Sequence, residues 1–532
     1  MIPKIAVSSN SLIVAVSLFL LLFTNFRFIV NVTEYYPLNL ANIAFILSVA
    51  ALLFAVNVIL FSLVCIRFTT KPILMLILLL AASTAYFMDT YNVIIDDVMI
   101  ENIVRTDTAE VTNLISINQI LYILLLGIIP AFIVWKIEIK PATWARSIFT
   151  RLRLMGISVV IIAAMLLPFG DSYASFFREH KLLRFYTNPT YPIYSLVSYV
   201  EQKTSSPSSG LITQIGLDAK QEHEGVQRKL IVVVVGETIR ADHMSLNGYE
   251  RETNPLLNQS DVISFTNVWS CGTSTAVSLP CMFSSLTRNE YSSDEALSTE
   301  NVLDVVARTG VNVIWLDNNS DSKGVALRVP YENLKTADTN TSCDSECRDV
   351  GMLEYMNSFI KDHTTGDILV VMHQMGNHGP AYYKRYPDNF EKYTPTCQTN
   401  ILENCSAEEI INSYDNAILY TDYFLNQTIK ALKAQSSNFS TAMIFIGDHG
   451  ESLGEYGLYL HGLPYAMAPD SQKHVPLVMW FDNKFKASHP EIADLYANSG
   501  TEYSHDNIFH TILGLTDIST DAYESALDIT AP

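Results

Sequence analysis

Five apolar runs crowd the first third of the chain, at about 11–30, 43–66, 72–88, 117–135 and 154–169. No other feature limits the fold so strongly. Hydrocarbon offers peptide groups no hydrogen-bond partner, so such runs cross it as helices. A helix needs about 20 residues to do so, and each run is near or somewhat short of that length. The first run does not read as a removable secretion signal, because further spans follow it without a convincing cleavage site. Residues 1–170 are therefore expected to form a membrane domain of five helical spans.

Loop charges give the orientation. Arg67 and Lys71 lie between the second and third runs, and Lys136, Lys140, Arg146, Arg151 and Arg153 between the fourth and fifth. Basic loops stay cytoplasmic. The loop between the third and fourth runs carries Asp89, Asp96, Asp97, Glu101, Asp107 and Glu110, and is expected outside. Five crossings then put the N-terminus inside and everything after Phe169 outside. The cysteines agree independently. Cys65 stands alone in an apolar run, whereas the other six fall as Cys271/Cys281, Cys343/Cys347 and Cys397/Cys405. Close pairs of this kind point to local disulfides and an oxidising compartment. The rival is a zinc–thiolate cluster, but CxxC knuckles are absent.

Residues 171–228 read as a connector. Its "SYASFFREHKLLRFY" mixes aromatic and basic residues, which suits either an interfacial helix or an ordinary amphipathic linker helix. "KTSSPSSG" (203–210) has the composition of a flexible hinge. From 229 to 532 the pattern changes to apolar runs alternating with helical stretches: "KLIVVVVGET", "VNVIWLDNNS", "DILVVMHQMGNHG", "TAMIFIGDHGES" and "VPLVMWF". Continuous apolar strands separated by helices indicate an α/β domain whose mostly parallel sheet is covered on both faces. Sites in such sheets lie beyond the carboxyl ends of the strands. Four of these runs end in residues suited to binding metal or phosphate. The net charge of −20, from 34 basic and 54 acidic residues, argues against a nucleic-acid partner.

Glu237, Asp448 and His449 offer oxygen and nitrogen donors at two strand ends, a set that suits zinc with a fourth position open. Taken alone, Asp448 and His449 also fit a capped turn. His378 and His461 sit beside glycines in "GNHGP" and "YLHG", and are suited to a second metal, a phosphate or general acid–base work. Asn319 and Lys323 follow a strand and are suited to neutralising phosphate, or to a solvated polar turn. His243, His373, His474, His505 and His510 are less well placed and receive no chemistry. In "WSCGTSTAVSLPCMFS" four hydroxyls, Thr273, Ser274, Thr275 and Ser278, lie between Cys271 and Cys281. A hydroxyl nucleophile needs activation, which zinc supplies by stabilising the alkoxide. The combination points to phosphoryl or sulfuryl transfer through a covalent enzyme intermediate, but composition does not rank the four hydroxyls.

"GETIRADHMSLNGY", "SCGTSTAVSLPCMFS", "DNNSDSKG", "HQMGNHGPAYYKRYP", "GDHGESLGEYGLYLHG" and the five-span N-terminus together resemble the lipid A phosphoethanolamine transferases. That family includes the mobile colistin-resistance enzymes and lies within the alkaline phosphatase/sulfatase superfamily. The resemblance implies Thr275 as nucleophile and Glu237, Thr275, Asp448 and His449 as zinc ligands. It implies that Asn319, Lys323, His378 and His461 hold phosphoethanolamine or a further zinc, with Glu451 near the metals, and that the three cysteine pairs are disulfides. "MIENIVRTDTAE" places Asn102, Thr106 and Glu110 on one helix face, otherwise a solvated face, which by resemblance binds the donor's ethanolamine headgroup.

The implied reaction moves phosphoethanolamine from phosphatidylethanolamine to Thr275 and then to a lipid A phosphate. The enzyme is expected to act as a monomer in a Gram-negative inner membrane, with its catalytic domain in the periplasm. Weaker binding of polymyxins and other cationic peptides is the implied consequence. The alternatives are phosphoethanolamine or phosphoglycerol transfer to another acceptor, such as a core sugar or glycan, and a membrane sulfatase. The sulfatase C/S-x-P-x-R signature has its nearest counterpart in Ser278, Pro280 and Met282, where Met stands in place of Arg.

Overall fold

The computed structural model describes residues 6–66, 68–106, 111, 114–205, 212–222 and 227–531. Arg67, Asp107, Glu110 and positions 206–210 of the expected hinge lie outside the described residues. The chain divides into two compact units, Met1–Ile100 with Ile115–Gln202, and Glu101–Leu114 with Lys203–Pro532.

The first unit is helical. Its elements are α1 (Ser9–Phe23), α2 (Phe26–Tyr35), α3 (Ile43–Val64), α4 (Thr70–Tyr91), then α5 (Asp97–Arg105), which crosses into the second unit's residues, α6 (Ile117–Lys136) and α7 (Trp144–Leu166). Among the described residues four helices, α3, α4, α6 and α7, are long and apolar enough to cross a membrane, or five spans if the bent pair α1 and α2 counts as one.

Two expectations are revised. The first apolar run is not one straight span, because α1 and α2 meet at a bend of 57°. The break falls at Thr24 and Asn25, where polar side chains compete for backbone groups: Thr24 Oγ1 and Asn25 Nδ2 both donate to the Leu20 carbonyl, at 2.8 and 3.0 Å. Buried Asn188 then satisfies what the break exposes. Its Nδ2 donates to the Thr24 and Ala81 carbonyls at 3.1 and 2.8 Å, and its Oδ1 accepts from Thr84 Oγ1 at 3.0 Å. The last span also starts earlier than the apolar run, so Arg146, Arg151 and Arg153 sit on α7 rather than in a loop. Arg151 reaches back to Ser9 Oγ at 2.8 Å.

The aromatic segment after α7 forms α8 (Gly170–Glu179) and a short 3₁₀ turn, Lys181–Tyr186. Tyr173, Phe176, Leu183 and Tyr186 are buried. Tyr173 bonds Ser48 Oγ at 2.9 Å, and its ring meets Phe45 edge-on. A further helix, α9 (Thr190–Ser205), follows.

The second unit is built on an eight-stranded sheet. In chain order its strands are β1 (Arg228–Gly236), β2 (Val262–Trp269), β3 (Asn312–Asp317), β4 (Tyr331–Asn333), β5 (Ile368–His373), β6 (Phe439–Gly447), β7 (His474–Phe481) and β8 (Tyr503–Ser504). The spatial order is β8-β2-β7-β6-β1-β5-β3-β4. Every pairing is parallel except those of β7 with β6 and with β2. The apolar run of β1 is continuous because both of its faces are covered. Ile231, Val233 and Val235 enter one core with Phe265, Leu279 and Trp315. Leu230, Val232 and Val234 enter the other with Met443 and with Phe424 of the long helix α11 (Ala407–Gln435). A shorter helix, α10 (Thr275–Phe283), lies between β2 and β3 in the chain.

Asn188→Ala removes three buried hydrogen bonds, one to the break at Thr24 and two to Ala81 and Thr84 of α4. It is expected to destabilise the protein by about 2–4 kcal/mol. A lowered melting temperature of the detergent-solubilised protein checks this; an unchanged melt contradicts it.

Candidate active site

Parallel pairing brings the carboxyl ends of β6, β1, β5 and β3 side by side. Gly236 pairs with Gly447, Val235 with His373, and His373 with Asp317. Glu237 and Asp448 therefore leave adjacent strands at the same level, followed by His449. All three side chains are buried, and their ligating atoms lie within 4.8 Å of one another. Thr238, at φ +56°, turns the chain sharply after Glu237. Gly376 follows β5 at φ +49°, and an added Cβ there would lie 2.8 Å from the Glu237 carbonyl oxygen, so only glycine allows this close approach.

The geometry separates the four hydroxyls of the cysteine loop. Thr273 Oγ1 donates to the Leu463 carbonyl at 2.6 Å, and Ser278 Oγ to the Ser274 carbonyl at 2.9 Å. Ser274 Oγ is buried and has no hydrogen-bond partner among the described residues. Only Thr275 meets the acidic cluster: its Oγ1 lies 3.1 Å from Glu237 Oε2 and 3.2 Å from His449 Nε2. Thr275 is the first residue of α10, where the helix dipole favours negative charge. The Cys271–Cys281 disulfide joins the approach to α10 to its second turn. His505 adds a tie: its Nδ1 accepts from Cys271 N at 3.1 Å, and its Nε2 donates to the Gly447 carbonyl at 2.9 Å. The loop is thereby fixed to the strand that carries Asp448. Disulfides also join Cys343 to Cys347 and Cys397 to Cys405.

Other expected residues gather nearby. Asn319 Nδ2 donates to Glu237 Oε2 at 2.7 Å. The His461 ring centroid lies 4.2 Å from that of His449 and 6.2 Å from that of His378. His461 Nδ1 is 3.4 Å from Glu451 Oε1, an ion-pair distance without hydrogen-bond geometry. Lys323 is buried, and its Nζ donates to the Ser320 and Arg105 carbonyls at 2.8 and 3.1 Å. That contact brings Lys323 to the segment carrying Asn102 and Thr106. Of the expected helix face, Asn102 lies on α5 and Thr106 just beyond it, and Glu110 lies outside the described residues. α5 ends at Arg105, and Thr106 Oγ1 donates to the Asn102 carbonyl at 2.7 Å. Arg240 was not anticipated. Its Nη1 donates to the Glu451 carbonyl at 3.2 Å, and the same nitrogen pairs with Glu455 at 2.5 Å. The arginine in "GETIRADH" gave no hint of this, because its partner lies 211 residues away.

Burial and crowding set the electrostatics. Burial, and then the Glu237 charge, push Asp448 well above the usual carboxylate range. For Glu237 burial acts upward, and the cationic forms of the surrounding imidazoles, His449 first, act against it and lower the group. Burial and His461 push His449 down to about 3, so it stays neutral. Burial also lowers His461, but the Glu451 carboxylate overrides this and raises it. His449 Nδ1 donates to the Gly450 carbonyl at 2.9 Å, which leaves the Nε2 lone pair facing the cluster. Asp448 Oδ1 accepts from Thr238 N and His449 N, while Oδ2 has no hydrogen-bond partner among the described residues. A buried orphan oxygen, a second carboxylate and a presented imidazole lone pair fit a divalent metal ion. A metal at about 100 times its Kd is expected to stabilise the protein by about 2.7 kcal/mol. Asp448→Asn and His449→Ala should lose most of that gain, and melting curves with and without chelator check it. A chelator-insensitive wild type contradicts it.

The sulfatase family matches residues 229–518, and the family described as phosphoethanolamine transferase EptA/EptB matches residues 53–204. The phosphatidylethanolamine transferase Mcr-1 of Escherichia coli is 42% identical over 530 residues, covering 97% of this chain and 96% of that protein. The integral membrane lipooligosaccharide phosphoethanolamine transferase A (EptA) of Neisseria meningitidis is 36% identical, with a TM-score of 0.94 over 99% of both chains. The C-terminal periplasmic domain of EptC from Escherichia coli, solved in complex with Zn, is 23% identical over 60% of this chain and 90% of that one, with a TM-score of 0.50; it shares the fold. With close likeness along nearly its whole length to both Mcr-1 and EptA, the chain belongs to the EptA/Mcr-1 family of lipid A phosphoethanolamine transferases.

Proposed function

We propose that this protein transfers phosphoethanolamine from phosphatidylethanolamine to a phosphate of lipid A, through a phosphoethanolamine–Thr275 intermediate. The observation that carries the reading is the position of Thr275 Oγ1, 3.1 Å from Glu237 Oε2 and 3.2 Å from His449 Nε2, at a helix N-terminus. Glu237, Asp448, His449 and Thr275 Oγ1 are the ligands of zinc in this reading, and zinc when bound lowers the hydroxyl pKa and neutralises charge on the phosphoryl group.

The chain's own residues do the rest. Thr275 Oγ attacks phosphorus, the Oγ–P bond forms and the bond from phosphorus to the glycerol oxygen breaks. Overall, the hydroxyl proton of Thr275 ends on diacylglycerol. His461, raised by Glu451, is the acid for that leaving oxygen. Lys323 and His378 hold the phosphoryl oxygens, with Lys323 supplying positive charge in a site shielded from water, and Asn319 borders that group while its amide donates to Glu237. Glu451, His378 and His461 are also a donor set suited to a second zinc. Asn102, Thr106 and Glu110 receive the ethanolamine headgroup. In the second step a lipid A phosphate oxygen attacks phosphorus, and Thr275 leaves and recovers its proton. Placing an amine on a lipid A phosphate lowers surface negative charge, and cationic peptides such as polymyxins bind less tightly.

Residues 1–170 form the membrane anchor in this reading, 171–228 the connector and 229–532 the catalytic domain. The protein lies in the inner membrane of a Gram-negative cell with its catalytic domain in the periplasm. Loop charge and the three disulfides support that orientation. Both substrates are membrane lipids, so tethering keeps the site near them.

Mass spectrometry of lipid A from cells making the wild type should show added phosphoethanolamine. Thr275→Ala should remove the addition by about 10³-fold or more, and Ser274→Ala should keep it. Modification of core sugars in place of lipid A contradicts the acceptor, and an active Thr275→Ala contradicts the nucleophile.

A further inference from the structure

His373 closes β5 and lies in register between Val235 of β1 and Asp317 of β3. It is fully buried. Its Nδ1 donates to Asp317 Oδ2 at 3.1 Å, which leaves Nε2 as a lone pair. That lone pair lies 3.3 Å from Asn319 Nδ2, and Nε2 lies 3.9 Å from Glu237 Oε2. Asp317 is itself held by its own turn. Its Oδ2 accepts from Trp315 Nε1 at 2.9 Å, and its Oδ1 from Asn319 N at 2.9 Å and Asp321 N at 3.2 Å.

The Asn319 side chain thus has its NH₂ group turned toward three acceptors: Glu237 Oε2 at 2.7 Å, the Gln374 carbonyl at 2.8 Å and the His373 lone pair. An amide rotated by half a turn would face those acceptors with its own oxygen. A buried neutral imidazole has one donor and one acceptor to satisfy, and what sets this one apart is the identity of its partners. This one has a carboxylate on one ring nitrogen and, on the other, the amide that touches the proposed metal ligand.

We propose that Asp317 and His373 act as a positioning pair: His373, oriented by Asp317, fixes the Asn319 amide against Glu237 and so presets the carboxylate that faces the metal. The inference rests on the reading of Glu237 as a zinc ligand. Groups hydrogen-bonded behind ligands set ligand orientation, and their loss lowers metal affinity by about 10–100-fold.

The test uses the full-length protein in detergent micelles, titrated with zinc against a competing chromophoric chelator, with melting of the metal-free protein measured in parallel. His373→Ala should weaken zinc binding by about 10–100-fold when affinity is measured well below the melting temperature of the metal-free variant, so that only folded protein is titrated. Asp317→Asn should act in the same direction. His373→Gln should recover most of the affinity, because its amide can donate to Asp317 and accept from Asn319. The proposal is overturned if His373→Ala binds zinc within about 2-fold of the wild type, well short of the smallest expected loss of about 10-fold. It is equally overturned if Gln does no better than Ala, since packing alone would then account for His373. A wild type that takes up no zinc fails differently: it contradicts the metal reading on which the pair depends.

Discussion

Two buried carboxylates share one dry site. Glu237 and Asp448 leave neighbouring parallel strands at the same level, with His449 Nε2 3.6 Å from the first and 3.3 Å from the second. Held together without a cation, they repel, and one must keep its proton. The surrounding structure nevertheless forces them together. Gly236 and Gly447 pair in register, Thr238 turns at positive φ, and Gly376 lets the loop after β5 press against the Glu237 backbone. A fold that maintains such crowding is arranged for a positive ion, and the remaining features of the site follow from where that ion would sit.

The loop between Cys271 and Cys281 shows this dependence. Its disulfide does not itself choose a hydroxyl. The choice comes from the start of α10, which directs Thr275 to the carboxylates while Thr273 and Ser278 bond backbone carbonyls. His505 links this loop to the end of β6, so the start of α10 and Asp448 are tied to one piece of structure. In-line attack at phosphorus demands such fixed geometry, because small misplacements cost large factors in rate.

Much of this was legible in the sequence, for physical reasons. Continuous apolar strands running into Glu237, Asn319, His378 or Asp448 announced a covered parallel sheet and the edge where chemistry would lie. The close cysteine pairs announced local disulfides. What stayed hidden depended on partners distant in the chain. The break at Thr24 and Asn25 is invisible in hydropathy, since it relies on Asn188 from far along the chain. The start of α7 at Trp144 was missed because its basic first turns are not apolar. His373 had no neighbour in sequence to mark it, and its partners Asp317 and Asn319 belong to another strand. The ranking of the four hydroxyls needed either family resemblance or the direction of a helix.

The central claim is that Thr275 carries the phosphoethanolamine group between two lipids. The most direct test incubates purified protein with phosphatidylethanolamine and no acceptor, then maps the adduct by peptide mass spectrometry. The account predicts one phosphoethanolamine group on the peptide between Cys271 and Cys281, located at Thr275 and discharged on adding lipid A. An adduct on Ser274 or elsewhere, or transfer with no covalent adduct at any time point, would contradict it.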